Sequence, residues 1–189
     1  VAWHPSMMLG YDIYGATIGI VGAGRIGQAV ARRARGFSMK ILYYSSSPKP
    51  DFAKKTGARR VELDELLREA DFVSLHVPLN NGTRGLINAD RLALMKKTAF
   101  LINNSRGPVV DENALYEALK SGQIAGAALD VFASEPTPAD NQLLTLDNVV
   151  VAPHISSASH ATRARMAVMV AENLIAFFTG KRPANLINP

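Results

Sequence analysis

Thr17-Ile18-Gly19-Ile20-Val21 runs without a break into Gly22-Ala23-Gly24-Arg25-Ile26-Gly27, and a helical pattern continues over 25–37. An apolar strand, a glycine turn and a helix in that order open a dinucleotide-binding unit. Gly22 would allow the tight turn, Gly24 would let backbone approach a pyrophosphate, and Gly27 would permit close packing of helix on strand. The helix start then offers N–H groups to phosphate oxygens. Glycine spacing alone is weak evidence. A second strand-like run, Lys40–Tyr44, completes the strand–helix–strand context that the motif needs.

Outward from this unit, short apolar runs recur at 72–77, 99–103, 124–129 and 149–152, with a shorter one at 58–61. Amphipathic helical patterns separate them at 63–70, 89–95 and 112–121, the last ending before a helix-stopping Gly122. The alternation predicts an α/β fold, a doubly wound parallel sheet of Rossmann-like kind with helices on both faces. Phe100-Leu101-Ile102 and Val149-Val150-Val151 are apolar on successive residues, as strands covered on both faces are. Pro48-Lys49-Pro50, Asn80-Asn81-Gly82 and Pro136-Thr137-Pro138 read as loops. A long helical pattern over 158–179 closes the chain. The expected organisation is an N-terminal arm over 1–14, a dinucleotide-binding domain over 15–157, and a C-terminal helix and tail over 158–189.

The 189 residues suffice for one well-buried domain, and 48% hydrophobic with 20% charged residues is a globular composition. The net charge of +5 comes from 21 Lys and Arg against 16 Asp and Glu, and it is scattered. Nucleic-acid binding needs a concentrated basic face with aromatics, so no such partner is expected, only mild attraction of anionic substrates. The absence of cysteine excludes disulfides, thiol catalysis and thiolate metal sites. No apolar run approaches the roughly 20 residues that span a bilayer, so no membrane partner is expected. Val1-Ala2-Trp3-His4-Pro5 lacks the basic start and apolar core of a secretion signal, and the expected location is the cytoplasm.

In an open α/β sheet, ligands bind beyond the carboxyl ends of the strands. Arg106 follows the 99–103 run, Asp130 and Glu135 follow 124–129, and His154 follows 149–152. Residues far apart in sequence would thereby reach one sheet edge. Arg106 can grip a carboxylate through two hydrogen bonds. His154 can give a proton to an oxygen that becomes an alkoxide, and take it back in reverse. Glu135, hydrogen-bonded to the other ring nitrogen, would orient the ring and favour imidazolium. Singly these are a surface arginine and a loop histidine; together they point to redox chemistry on a 2-oxo or 2-hydroxy acid. His4, His76 and His160 lack such partners by sequence and read as structural or peripheral. No close His, Asp and Glu cluster has ligand spacing, so no metal is expected.

The second strand ends in Tyr44-Ser45-Ser46-Ser47-Pro48-Lys49. NAD sites usually place an Asp or Glu there to accept hydrogen bonds from the ribose hydroxyls. Without that carboxylate a 2′-phosphate meets no repulsion, and three hydroxyls plus Lys49 can bind it. NADP is therefore favoured over NAD.

Several stretches carry a family pattern: Gly10-Tyr11-Asp12-Ile13-Tyr14-Gly15, the glycine turn with Gln28-Ala29, and Leu75-His76-Val77-Pro78-Leu79. Ile102-Asn103-Asn104-Ser105-Arg106-Gly107, Ala128-Leu129-Asp130-Val131-Phe132 through Glu135-Pro136, and Pro153-His154-Ile155 extend it. In these the chain resembles the D-2-hydroxyacid dehydrogenase family, most closely its glyoxylate/hydroxypyruvate reductase branch. The resemblance implies that Arg106, Glu135 and His154 are the substrate-binding and catalytic trio, with Asp130 near the nicotinamide amide. It implies Arg25 and Ile26 at the pyrophosphate, Ser45 and Ser46 at the adenosine ribose, and Val77, Pro78 and Thr83 along the cofactor groove. Asn104, Ser105 and Ser157 join these cofactor contacts, and a homodimer joined through this domain is implied as well.

Two departures stand out. Ser156 occupies a position where the branch has glycine, and its side chain would crowd the nicotinamide end. Family members also carry a separate substrate domain, most of it N-terminal, onto which the final helix packs; here it is mostly absent. A chain of this kind could bind dinucleotide yet turn over poorly, and the 158–179 helix would expose an apolar stripe prone to self-association. The leading reading is an NAD(P)H-dependent reductase of glyoxylate or hydroxypyruvate. The alternatives are a nicotinamide-responsive binding module, like the corepressors sharing this fold, and a non-catalytic scaffold.

Overall fold

The computed structural model describes His4, Met7 and residues 9–188. Seven strands, β1 (Thr17–Val21), β2 (Lys40–Tyr44), β3 (Arg59–Arg60), β4 (Phe72–Leu75), β5 (Phe100–Asn103), β6 (Gly126–Leu129) and β7 (Val149–Val151), form one sheet. Their order is β3-β2-β1-β4-β5-β6-β7, and every neighbouring pair is parallel. Helices α1 (Arg25–Ala34), α2 (Pro50–Thr56), α3 (Leu63–Glu69), α4 (Ala89–Leu94) and α5 (Glu112–Lys120) lie between strands, and α6 (His160–Phe178) follows them. This is the doubly wound sheet expected from the alternation. The strand order turns back between β1 and β4, and such a reversal opens a crevice at the carboxyl ends of the two strands.

Alternation along each strand divides the core between two faces. Ile18, Ile20, Ile41 and Tyr43 meet Ala31 of α1 and Phe52 of α2. On the opposite face Val21, Leu42, Val73, Leu75 and Leu101 meet Leu66, Leu92 and Leu115 of α3, α4 and α5. Each fully buried leucine contributes about 2 kcal/mol of apolar transfer energy.

Three local expectations change. Pro50 is not the end of a loop but the first residue of α2, where its fixed φ suits a helix start and its missing N–H costs nothing. Phe52 then packs edge-on to Tyr43, with ring centroids 5.3 Å apart. β4 stops at Leu75 rather than at 77; the His76 N–H still donates to the Val21 carbonyl of β1, and His76, Val77 and Pro78 wall the crevice. β7 is an edge strand, and Val150 is 72% exposed instead of covered. Register places Val150 on the face of Ile20, where α1 and α2 pack over β1 and β2.

The chain divides into a compact unit up to Pro153 and a second one from His154 onward. In the second, Ser159 caps α6 by accepting the Thr162 N–H, and paired hydrogen bonds between Asn173 and Asn185 fold the tail back on the helix. No helix among the described residues is long and apolar enough to cross a membrane.

Candidate active site

β1 ends at Val21, and Gly22 follows with φ +101. A Cβ at Gly22 would lie 2.8 Å from the carbonyl carbon and oxygen of His76, so only glycine lets β1 and the His76 segment approach so closely. A Cβ at Gly27 would lie 2.2 Å from the Gly22 oxygen, which is how α1 sits down on the turn. Gly24 differs, because a Cβ there would meet nothing within 4 Å. No side chain caps α1, and no acidic residue occupies its first turn. The helix start therefore presents N–H groups to an anion without a competing carboxylate.

A cleft of about 470 Å³ opens at this point, a size that suits part of a small-molecule cofactor. Its lining includes Gly22, Gly24, Ser45, Ser46, Val77, Pro78 and Thr83, all of them residues proposed from the sequence. Lys49 and Tyr44 line it as well, and no Asp or Glu among the described residues does. Tyr43 holds the strand-end turn, its hydroxyl accepting the Lys49 N–H at 3.1 Å, while Lys49 Nζ donates to Ser47 at 2.8 Å. Thr83 donates to the Pro78 carbonyl at 2.6 Å and accepts the Asn80 N–H, closing the Asn80-Asn81-Gly82 turn. Gly27 is buried behind the glycine turn, and Arg25 and Ile26 are exposed on the first turn of α1, outside the lining.

His76 is the cleft residue that sequence reasoning left at the periphery. It lines the cleft beside Val77, and its Nε2 lies 2.9 Å from the Ser74 hydroxyl. Burial pushes its pKa down to about 4, so the ring is neutral. The available signal was its place immediately after β4, at the strand reversal.

The catalytic candidates stand farther along the edge, beyond β5 and β6. Asn103 is 1% exposed and shapes the Arg106 turn from beneath. Its side-chain oxygen accepts from the Ser105 N–H and hydroxyl, and its amide donates to the Arg106 carbonyl at 3.0 Å. Arg106 is exposed, with Nη1 donating to the Ser105 carbonyl at 2.7 Å. Gly107 then meets the neighbouring loop, since a Cβ there would fall 1.9 Å from the carbonyl carbon of Phe132. That loop carries Glu135, whose Oε1 accepts the Phe132 N–H at 3.0 Å. The Asp130 N–H donates to the Asn103 carbonyl, tying the two strand ends together. The structure thus brings the Arg106 turn and the Glu135 loop into backbone contact. Asn104, Ser105 and Asp130 belong to this end and not to the cleft lining. His154 and Ser157 lie in the second unit, and His154 has φ +55, uncommon for a residue with a Cβ.

Comparison with known proteins agrees with this fold. Residues 1–156 match the model of the D-isomer specific 2-hydroxyacid dehydrogenase, NAD binding domain. A glyoxylate reductase of Korarchaeum cryptofilum is 64% identical over 188 residues, covering 100% of this chain and 57% of that protein. One from Thermococcus kodakarensis is 60% identical, covering 100% and 56%. The crystal structure of the TT0316 protein from Thermus thermophilus superposes with a TM-score of 0.94 at 48% identity, over 100% of this chain and 58% of that one. The chain thus spans just over half the length of the curated relatives it matches. Its glycine turn, strand reversal and whole-length similarity make it a member of the D-isomer specific 2-hydroxyacid dehydrogenase family, of which it carries the NAD-binding domain.

Proposed function

We propose that the protein is a nicotinamide-dependent reductase of small 2-oxo acids, glyoxylate or hydroxypyruvate, forming the 2-hydroxy acid. The observation that carries this reading is the backbone contact of Gly107 with Phe132, which joins the Arg106 turn to the Glu135 loop at the sheet edge that also holds the cleft. Close relatives named glyoxylate reductase support the substrate class. The open space at Gly24 and the uncapped start of α1 fit a dinucleotide's pyrophosphate. When bound, the reduced nicotinamide supplies a hydride to the carbonyl carbon.

Arg106 holds the substrate carboxylate and fixes which carbonyl face is presented. His154 gives its proton to the carbonyl oxygen as negative charge develops there. Glu135 accepts from the other ring nitrogen and sets the tautomer. Turnover is read as loss of reduced-nicotinamide absorbance with glyoxylate or hydroxypyruvate, in the longest native form of the protein. His154→Ala should lower kcat by about 10²-fold or more, and Arg106→Ala should also raise KM. Tight cofactor binding without turnover would overturn the enzyme reading in favour of a binding module.

The same reading takes NADP as the preferred cofactor. Its support is a cleft lined by Ser45, Ser46 and Lys49 with no carboxylate among the described residues. Arg60 adds a second cation at the same strand end, its Nη2 donating to the Ser45 carbonyl at 3.3 Å. Ser46→Asp should invert the ratio of NADPH to NADH affinity; tighter binding of NADH by the unmodified protein would sink the preference. We take the protein to be a cytoplasmic homodimer, the assembly being supported by the exposed Leu9, Tyr11 and Tyr14 ahead of β1. Sedimentation as a monomer would refute the assembly.

A further inference from the structure

The segment from Asp130 to Asn141 carries Glu135 but contains no helix or strand, so something must hold it still. Glu112, the first residue of α5, is half-buried and reaches this segment with both carboxylate oxygens. Oε1 accepts the Ala133 N–H, two residues before Glu135. Oε2 accepts from the Asn141 side-chain amide at 3.2 Å, at the far end of the segment. Asn141 is itself fixed, because its oxygen accepts the Leu143 N–H at 3.0 Å.

The anchor is rigid. Asp111 caps α5 by accepting the Asn113 and Ala114 N–H groups, both at 3.1 Å, and Leu115, Ala118 and Leu119 bury its inner face. A charged acceptor on a fixed helix makes stronger hydrogen bonds than neutral pairs do. Gly107 lies five residues before Glu112 and touches the same segment at Phe132. One short stretch of chain therefore presents Arg106 and also grips the support of Glu135.

We propose that Glu112 is a positioning residue for the reaction, acting through Glu135 by pinning its loop to α5 at Ala133 and at Asn141. The proposal rests on the role given to Glu135 above. Glu112→Ala removes both acceptors and frees the loop. Glu112→Gln keeps one oxygen for the Ala133 N–H.

The test is a double-mutant cycle in the longest native form of the protein, read as kcat, KM and NADPH dissociation constant. Glu112→Ala should lower kcat about tenfold with cofactor affinity unchanged, and Glu112→Gln should restore most of that loss. Added to Glu135→Gln, Glu112→Ala should cost nothing further, because the group it positions is already disabled. A purely structural role predicts multiplied losses in the double variant and overturns the proposal, as does a wild-type kcat in Glu112→Ala. If Glu112→Ala does not fold, Asn141→Ala removes one of the two grips and should show a smaller loss with the same masking. A wild-type kcat in Glu135→Gln alone refutes the role of Glu135, a different failure from that of Glu112.

Discussion

The β1–β4 end of the sheet edge and the β5–β6 end are built from different materials. At the first, the cleft is mostly backbone and packed side chains: Gly22 and Gly27 admit no Cβ, and His76 is held in the wall by burial. At the second, the chemistry proposed above would stand on exposed side chains, Arg106 and Glu135, braced from behind by Asn103, Gly107 and Glu112. A pyrophosphate needs only N–H groups and close approach, which a turn and a helix start supply without side chains. A particular acid needs charged groups placed at a distance from the scaffold, and these must be held by polar braces because packing cannot reach them. On the proposed function, the difference separates the part of the molecule that any dinucleotide would recognise from the part that would choose a reaction.

The largest effect expected joins the two ends. Gly27→Ala and Gly107→Ala each force a Cβ into backbone, 2.2 Å from the Gly22 oxygen and 1.9 Å from the Phe132 carbonyl carbon. No flexible side chain can yield, so each should cost about 3 kcal/mol or more in urea unfolding. An unchanged unfolding midpoint in Gly107→Ala would mean that the Arg106 turn and the Glu135 loop do not touch. The proposed catalytic end would then lose its backbone brace.

Burial of His76 gives the cofactor end a pH dependence. Its folded pKa of about 4 lies below the ordinary value of 6.5, so the unfolded chain takes up a proton between those limits and the folded one does not. Stability should be fully present above about pH 6.5 and fall as pH drops towards 4, by on the order of 1–3 kcal/mol. His76→Gln should flatten that window in urea unfolding followed against pH. Asp71 acts in a lower window. Burial pushes its pKa up, but the Lys96 ammonium and the Thr17 N–H outweigh it and hold the carboxyl below its ordinary 3.8. Its contribution is lost only as pH falls further. A stability curve flat from pH 7 to 4 would show that His76 is not buried neutral.

The legibility of the molecule in its sequence follows the same division. The strands and the glycine turn are written locally, as apolar runs with their punctuation, so the sheet and most of the cleft lining are readable from one stretch at a time. α2 is obscured because Pro50 looks like a loop residue beside Pro48, whereas a proline at a helix start is indifferent to its missing donor. The place of His76 and the exposure of Val150 depend on which strands are neighbours, a property of the sheet order and of no single segment. Glu112 is hidden more deeply. Its partners, Ala133 and Asn141, lie 21 and 29 residues away in the chain, and nothing in a carboxylate at a helix start announces what it will hold.

The smallest expected effect separates the two kinds of glycine within one turn. Gly24 has φ −76, which any residue adopts, and a Cβ there meets open space. Gly24→Ala should therefore fold with a stability loss under about 1 kcal/mol, the modest cost of alanine at a helix cap. Yet Gly24 lines the cleft, and on the proposed cofactor site a methyl group there would stand where a pyrophosphate needs the backbone. The dissociation constant of NADPH, read from nicotinamide fluorescence, should rise about tenfold, equivalent to about 1.4 kcal/mol. Gly27→Ala should reverse the pattern, losing stability first and cofactor only as a consequence. Unaltered cofactor affinity in a stable Gly24→Ala variant would place the phosphates elsewhere, and the backbone character of the cofactor end would then belong to packing alone.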